Sequence, residues 1–417
     1  MTRSVVPGVV LAAALLAGAC DGESVPVPGS APASAPSSSA VPAPLGVAAV
    51  PHDPRRVAGA THVAGALPAP TRAEIDASIR RGVEYLLTKQ NKDGSWGSPA
   101  GNLFDIYAPG PGSYEAFWVG SSALDVSALV EVGGDDPRVA EAIRKGTDFL
   151  LAHSRVKRDT EDVLYNTWAN LYSLEAFARL LAREKDPARR ALLRKGAEDA
   201  IDMLGRYENV EGGWSYYDFK YHTQRPAAMS TSFETASALV ALKLAKDQGL
   251  DVPQRLVDRG MRVLERLRFP SGAFAYSWDH RNFPQGGINK IKGSLARTPA
   301  CYLALRDWGG KVSDAQVAAS FENLRKDGHF LAIARKYPRP HEAYYQNSGY
   351  FVFYGYYYAT WLLPVLPPER RALEAASIAS YLVPLQEEDG SFWDYQLYGY
   401  HKAYGTGYVL MSLARCR

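Results

Sequence analysis

Cysteine is almost absent from this chain: Cys20, Cys301 and Cys416 are the three thiols in 417 residues. So sparse a set excludes a disulfide-stapled scaffold. No Cys/His trio has the ligand count that zinc requires, so neither a metal nor a cofactor is expected. Strand-period alternation of useful length is missing as well, which excludes a sheet-based fold. Beyond the first twenty residues no apolar run approaches the ~20 residues that cross a bilayer. Nor is one sign of charge in excess. The 47 Lys and Arg stand against 44 Asp and Glu, and the resulting +3 is spread along the chain without a nucleic-acid footprint.

What is present begins with an export signal. Arg3 precedes the apolar run Val9 to Leu16 and then Ala17-Gly18-Ala19-Cys20. Ala17 and Ala19 suit ordinary signal cleavage. Cys20 directly after Ala19 resembles the acceptor of a bacterial lipoprotein box, with Leu16 one position early, and Asp21 resembles an inner-membrane retention mark. The expectation is an exported protein, tethered by lipid at Cys20 on the periplasmic or cell-surface side. Residues 1–19 are read as the signal, and 20–70, rich in Pro, Ala and Ser, as a disordered spacer without chemistry. Residues 71–417 are the folded domain.

From Arg72 onward the pattern is helical and repetitive. Amphipathic helices are predicted around 73–90, 136–153, 187–206, 252–268, 313–326 and 367–386. Helices apolar nearly all round, and therefore buried, follow at about 115–132, 162–183, 231–248, 294–308, 343–363 and 403–415. Basic-Gly pairs recur in the first set, at Arg81-Gly82, Lys145-Gly146, Lys195-Gly196 and Arg259-Gly260. Glycine turns recur between the sets, at Gly94-Ser95-Trp96, Gly212-Gly213-Trp214, Gly272-Ala273-Phe274 and Gly390-Ser391-Phe392. Six buried helices inside six amphipathic ones give an all-α, closed (α/α)6 toroid, since closure replaces the caps an open solenoid needs. Cys301 and Cys416 fall on nonadjacent helices and are expected as buried free thiols.

The stretch Arg81-Gly82-Val83-Glu84-Tyr85 through Gln90 to Gly94-Ser95-Trp96 is the fullest copy of the repeat. Gln90 is expected to bond backbone groups at a neighbouring helix end, with the Trp96 indole flat over its amide. The stretch resembles the QW motif of squalene-hopene cyclases and protein prenyltransferases. That resemblance implies an α/α toroid and structural roles for Gln90 and Trp96. It also draws attention to Asp159-Thr160-Glu161-Asp162, which is similar to the cyclases' Asp-x-Asp-Asp motif, whose middle acid protonates an alkene. Asp159, Glu161 and Asp162 are the catalytic candidates so implied, although Glu161 stands where the motif has Asp. The alternative is an N-cap with acids in the first helical turn. The prenyltransferase zinc ligands are not matched, because Pro299 stands where Asp would precede Cys301.

N-termini of the inner helices should converge on one mouth of the barrel and give it positive potential. Loops feeding that mouth carry aromatic-Asp-His groupings: Trp214, Tyr217, Asp218 and His222; Trp278, Asp279 and His280; and Trp393-Asp394-Tyr395 running to His401. Each grouping reads either as a polar ligand contact or as a cap that serves the repeat. His341 and Tyr345, then Tyr354, Tyr357 and their neighbours, and then Tyr404 and Tyr408, supply more rings than a solid core holds, so some are expected to line a cavity. Such a wall suits an apolar, isoprenoid-like ligand or a stacked glycan. Two functions follow. One is a tethered binding protein without cyclase chemistry. The other is an enzyme, either a terpene cyclase or prenyltransferase relative or a polysaccharide lyase-like protein.

Overall fold

The computed structural model describes residues 69–99, 111–158, 165–216 and 229–417. All lie in the compact unit His52–Arg417. Cys20, Asp159, Glu161, Asp162, Tyr217, Asp218 and His222 fall outside the described residues.

Twelve α-helices are found among the described residues, alternating outer and inner. The outer ones are α1 (Arg72–Lys89), α3 (Pro137–His153), α5 (Pro187–Arg206), α7 (Gln254–Leu267), α9 (Asp314–Ala332) and α11 (Pro368–Leu382). The inner ones are α2 (Pro111–Val132), α4 (Asn166–Leu181), α6 (Ser232–Asp247), α8 (Arg297–Asp307), α10 (Phe351–Trp361) and α12 (His401–Arg415). Each inner helix packs on the next, and α12 returns to pack on α2, so the inner ring is closed. This is the (α/α)6 toroid. No helix among the described residues is long and apolar enough to cross a membrane.

Local sequence sets the starts. Thr71 and Glu74 form a reciprocal capping box on α1, as Ser313 and Gln316 do on α9. Asp136 and Asp186 cap α3 and α5, each with proline in the first helical position. Outer helices bury one stripe, as Ile75, Ile79, Gly82 and Leu86 do on α1, whereas α10 is buried from Phe351 to Thr360.

The staple differs in detail from its expected form. Gln90 Nε2 donates to the carbonyls of Gly94, at 2.9 Å, and Ala142, at 2.8 Å. Ala142 lies inside α3, not at its end, because the turn reaches the helix where Gly146 lets it approach. A Cβ on Gly146 would sit 2.9 Å from the Trp96 ring, and one on Gly94 (φ +92°) would sit 2.2 Å from the Lys145 carbonyl oxygen. The basic-Gly pair is thus the seat for the preceding glycine turn. The Trp96 indole N–H donates to the Leu86 carbonyl at 2.7 Å. Gln386 repeats the arrangement between α11 and α1, bonding Ser78 and Gly390 at 2.9 Å and also Arg81, and so ties the last hairpin to the first.

The predicted inner helix over 343–363 begins only at Phe351. Before it, the Glu342 carboxylate accepts the backbone N–H groups of Tyr344, Tyr345 and Asn347, and Gln346 adopts φ +57°. That folds the segment into a loop. Cys301 and Cys416 are buried free thiols.

Candidate functional site: an aromatic cup

The N-terminal ends of α2, α4, α6, α10 and α12 surround a cavity of about 130 Å³. Phe117 from α2, Trp168 and Tyr172 from α4, and Phe233, Glu234 and Ser237 from α6 line one part of it. Tyr350, Phe351 and Tyr354 around the start of α10, with Tyr404 and Tyr408 from α12, line another. Tyr165, Tyr216, Tyr276, His341 and Tyr395 close it from the loops. The walls interlock: Tyr165 stacks on Tyr216 with centroids 4.9 Å apart, and Phe233 meets Phe351 edge-on at 4.8 Å.

Hydroxyl groups thread through these walls. Tyr216 and Tyr276 share a hydrogen bond of 2.7 Å, and the Tyr350 hydroxyl lies 3.5 Å from that of Tyr276. Tyr354 donates to the Phe233 carbonyl at 3.0 Å and contacts the Ser237 hydroxyl at 3.1 Å. Tyr172 and Tyr408 are hydrogen-bonded below them. Tyr404 donates to Asp394 at 2.8 Å, and the same carboxyl accepts the Phe353 N–H at 2.9 Å. Asp394 therefore serves the start of α10, the inner helix before it in the chain.

Glu234 is the one carboxyl group lining the cup among the described residues. It is 2 % exposed, has no basic partner among the described residues, and accepts a side-chain hydrogen bond from Thr167 at 2.8 Å. Burial pushes its pKa up to about 7, against the smaller pull of the Thr167 hydroxyl. Sequence reasoning missed it. Thr231-Ser232-Phe233-Glu234 has the spacing of a capping box, and Thr231 does cap Glu234 N–H. The Thr231 N–H, however, bonds the Trp214 carbonyl instead, which frees the Glu234 side chain to turn inward. The signal was there: an acid in the first turn of a helix otherwise buried all round.

Of the residues singled out by sequence, His341, Tyr354 and Tyr404 meet in the cup. His341 Nδ1 lies 2.8 Å from the Gln346 carbonyl oxygen, which it meets as a donor, leaving Nε2 an acceptor. Burial lowers its pKa. The others stand elsewhere. Trp214 is fully buried with its indole on the Leu204 carbonyl at 2.8 Å, a second staple like that of Trp96. Trp278 is covered by Arg281, 3.7 Å from its ring centroid. His280 bonds Ser277 at 2.8 Å next to Tyr276, and Asp279 precedes it without capping. Tyr345 packs against Phe330 and Lys292. Tyr357 belongs to the opposite end of the barrel, where it bonds Glu175 and Arg179.

Comparison with known proteins agrees with this architecture. No family model matches the chain. Squalene–hopene cyclase of Bradyrhizobium diazoefficiens is 25% identical over 229 residues, 52% of this chain and 32% of the cyclase. A probable squalene–hopene cyclase of Sinorhizobium fredii is 26% identical over 235 residues, 52% of this chain and 33% of that protein. The matches thus span about a third of those relatives' length, and they show weak homology to squalene–hopene cyclases.

Among solved structures, an α-1,6-mannanase of Salegentibacter is similar with a TM-score of 0.53, at 12% identity, over 82% of this chain and 100% of the mannanase. An unsaturated glucuronyl hydrolase of Bacillus gives 0.51, at 17% identity, over 82% and 95%. Cellobiose 2-epimerase of Spirochaeta thermophila gives 0.52, at 13% identity, over 84% and 99%. At such identities these likenesses establish the toroid and nothing finer.

Proposed function

We propose that this protein is an exported, Cys20-anchored binding protein whose cup holds one sugar ring, without squalene-cyclase chemistry. The observation that carries the reading is the cup itself: ring-sized, walled by aromatic faces, and studded with hydroxyls and the Glu234 carboxyl. Aromatic faces stack on the apolar side of a pyranose, while the hydroxyls, His341 and Glu234 supply the polar contacts that fix its orientation. A volume of about 130 Å³ is close to that of an engineered cavity of ~150 Å³ that binds benzene, which suits a ring better than a folded long-chain isoprenoid.

Glu234 does not suit cyclase chemistry, since a carboxyl held near 7 is far too weak an acid to protonate an alkene. The alternative reading, an isoprenoid enzyme, draws on the weak homology to the cyclases.

Titration calorimetry with methyl pyranosides and with farnesol in micelles separates the two. The proposal expects saturable sugar binding that is lost in Phe351→Ala. Binding of farnesol with no sugar response would overturn it.

A further inference from the structure

We infer that the cup selects a sugar ring bearing a carboxylate over its neutral counterpart, because a buried arginine without a counter-ion among the described residues, Arg297, stands behind the cup wall. The inference rests on the sugar reading above and names the substrate class of the same site.

Arg297 is the first residue of α8 and is fully buried. Its Nη1 donates to the Gly293 carbonyl at 2.8 Å, and its Nη2 to the carbonyls of Ile288, at 2.6 Å, and Phe274, at 3.2 Å. Nε has no partner. Carbonyl oxygens hold the guanidinium in place but do not neutralise it. Two other arginines on inner helices, Arg179 and Arg415, each sit within 3 Å of a carboxylate. The Arg297 guanidinium carbon lies 5.4 Å from the Tyr276 ring centroid and 5.7 Å from that of Phe351, and both rings line the cup. A ligand stacked on the open side of those rings would therefore face a cation on their hidden side.

Among the described residues, the other charged and titratable groups do not cancel this field. Glu234 lines the same cup, and while it keeps its proton it offers a hydrogen-bond donor to a ligand carboxylate. His341 lines the cup, and His280 lies against Tyr276 with its ring centroid 5.2 Å away. Asp394 is taken up by Tyr404 and Phe353, and Glu342 by three backbone N–H groups. Burial lowers the Arg297 pKa to about 10, which leaves it cationic at neutral pH. The inner-helix N-termini add potential of the same sign. Attraction of a unit charge at roughly 9 Å, with an effective dielectric of about 20, corresponds to a factor of about 20 in affinity.

The test compares glucuronate with glucose, and galacturonate with galactose, by calorimetry on the wild-type domain at pH 6 in low and high salt. The uronate of each pair should bind ~10-fold or more tightly, and the preference should persist at 0.5 M NaCl because a buried charge is poorly screened. Arg297→Met should lose the preference yet keep neutral-sugar binding, and Arg297→Lys should restore part of it. Should either variant fail to fold, the wild-type pairs still decide. Equal or tighter binding of the neutral sugar would overturn this inference alone. A preference abolished by salt would assign it to surface charges and overturn it too. No sugar binding of either kind would overturn the inference together with the proposed function.

Discussion

The two ends of this barrel are made by the same inner helices and are chemically opposite. At the N-terminal end the rings leave a cavity, and the carboxyl in its wall has no basic partner among the described residues. Toward the C-terminal end, Arg179 bridges Glu131 at 2.8 Å and Glu175 at 2.9 Å, and Arg415 bridges Glu131 at 2.8 Å. Both arginines stack on Trp361, with guanidinium carbons 5.2 Å and 4.3 Å from its centroid, and Tyr357 bonds into the same cluster. Cations near helix C-termini complement the dipole, as does carboxylate at the other end, so polarity alone does not explain the contrast. The difference lies in compensation. The charged end pairs its cations with carboxylates, whereas the aromatic end keeps a cavity beside an unpaired cation and carboxyl among the described residues. Uncompensated polarity around a cavity is what a ligand can satisfy.

Arg179→Met should have the largest effect of the substitutions considered. It leaves Glu175 without its ion-pair partner and Glu131 with Arg415 alone, and should cost about 3–5 kcal/mol in denaturant unfolding. A loss below about 1 kcal/mol would mean that the charged cluster is ornamental.

Glu234→Gln should act in the opposite direction. Glu234 has its pKa raised from the ordinary 4.5 to about 7. An unfolded chain releases that proton near 4.5 and the folded one holds it to about 7, so stability falls as pH rises through this window and is level above it. The variant should match the wild type at pH 4 and exceed it by up to about 3 kcal/mol at pH 8. Equal melting temperatures at pH 8 would show that Glu234 ionises freely.

Gln386→Ala removes the staple that joins the last hairpin to the first and should cost about 1–2 kcal/mol without touching the cup. Sugar affinity in that variant should stay unchanged when measured well below its melting temperature. Smallest of all should be the effect on sugar affinity of Tyr345→Ala and Trp278→Ala, which lie outside the cup wall and should alter it by no more than about 0.5 kcal/mol. A ten-fold loss of sugar affinity in either would extend the site onto the neighbouring loops.

Much of the fold was legible because it is a repeat. Six alternations of amphipathic and all-apolar helices, with glycine turns and basic-Gly pairs in register, left a closed toroid as the consistent solution. Boundaries failed where a side chain captured backbone groups, as Glu342 does before α10. The site was legible only in part. His341, Tyr354 and Tyr404 were singled out for their aromatic density, but Tyr357, three residues beyond Tyr354, belongs to the other end. Helical spacing tells which face a residue takes, not which end of a barrel it reaches. Glu234 was hidden because an acid in a first turn is ordinarily a cap. Its inward turn depends on Trp214, far away in sequence, occupying the backbone group it would have capped.

The central claim is that the aromatic end, and not the charged one, receives the ligand. Crystals of the domain soaked with a methyl pyranoside or a uronate test it most directly. The account predicts density for one ring in the cup, against Tyr276 and Phe351 and within hydrogen-bonding reach of Glu234. Density beside Arg179 and Trp361, or a hydrocarbon chain co-purified in the cup and not displaced by sugar, would contradict it.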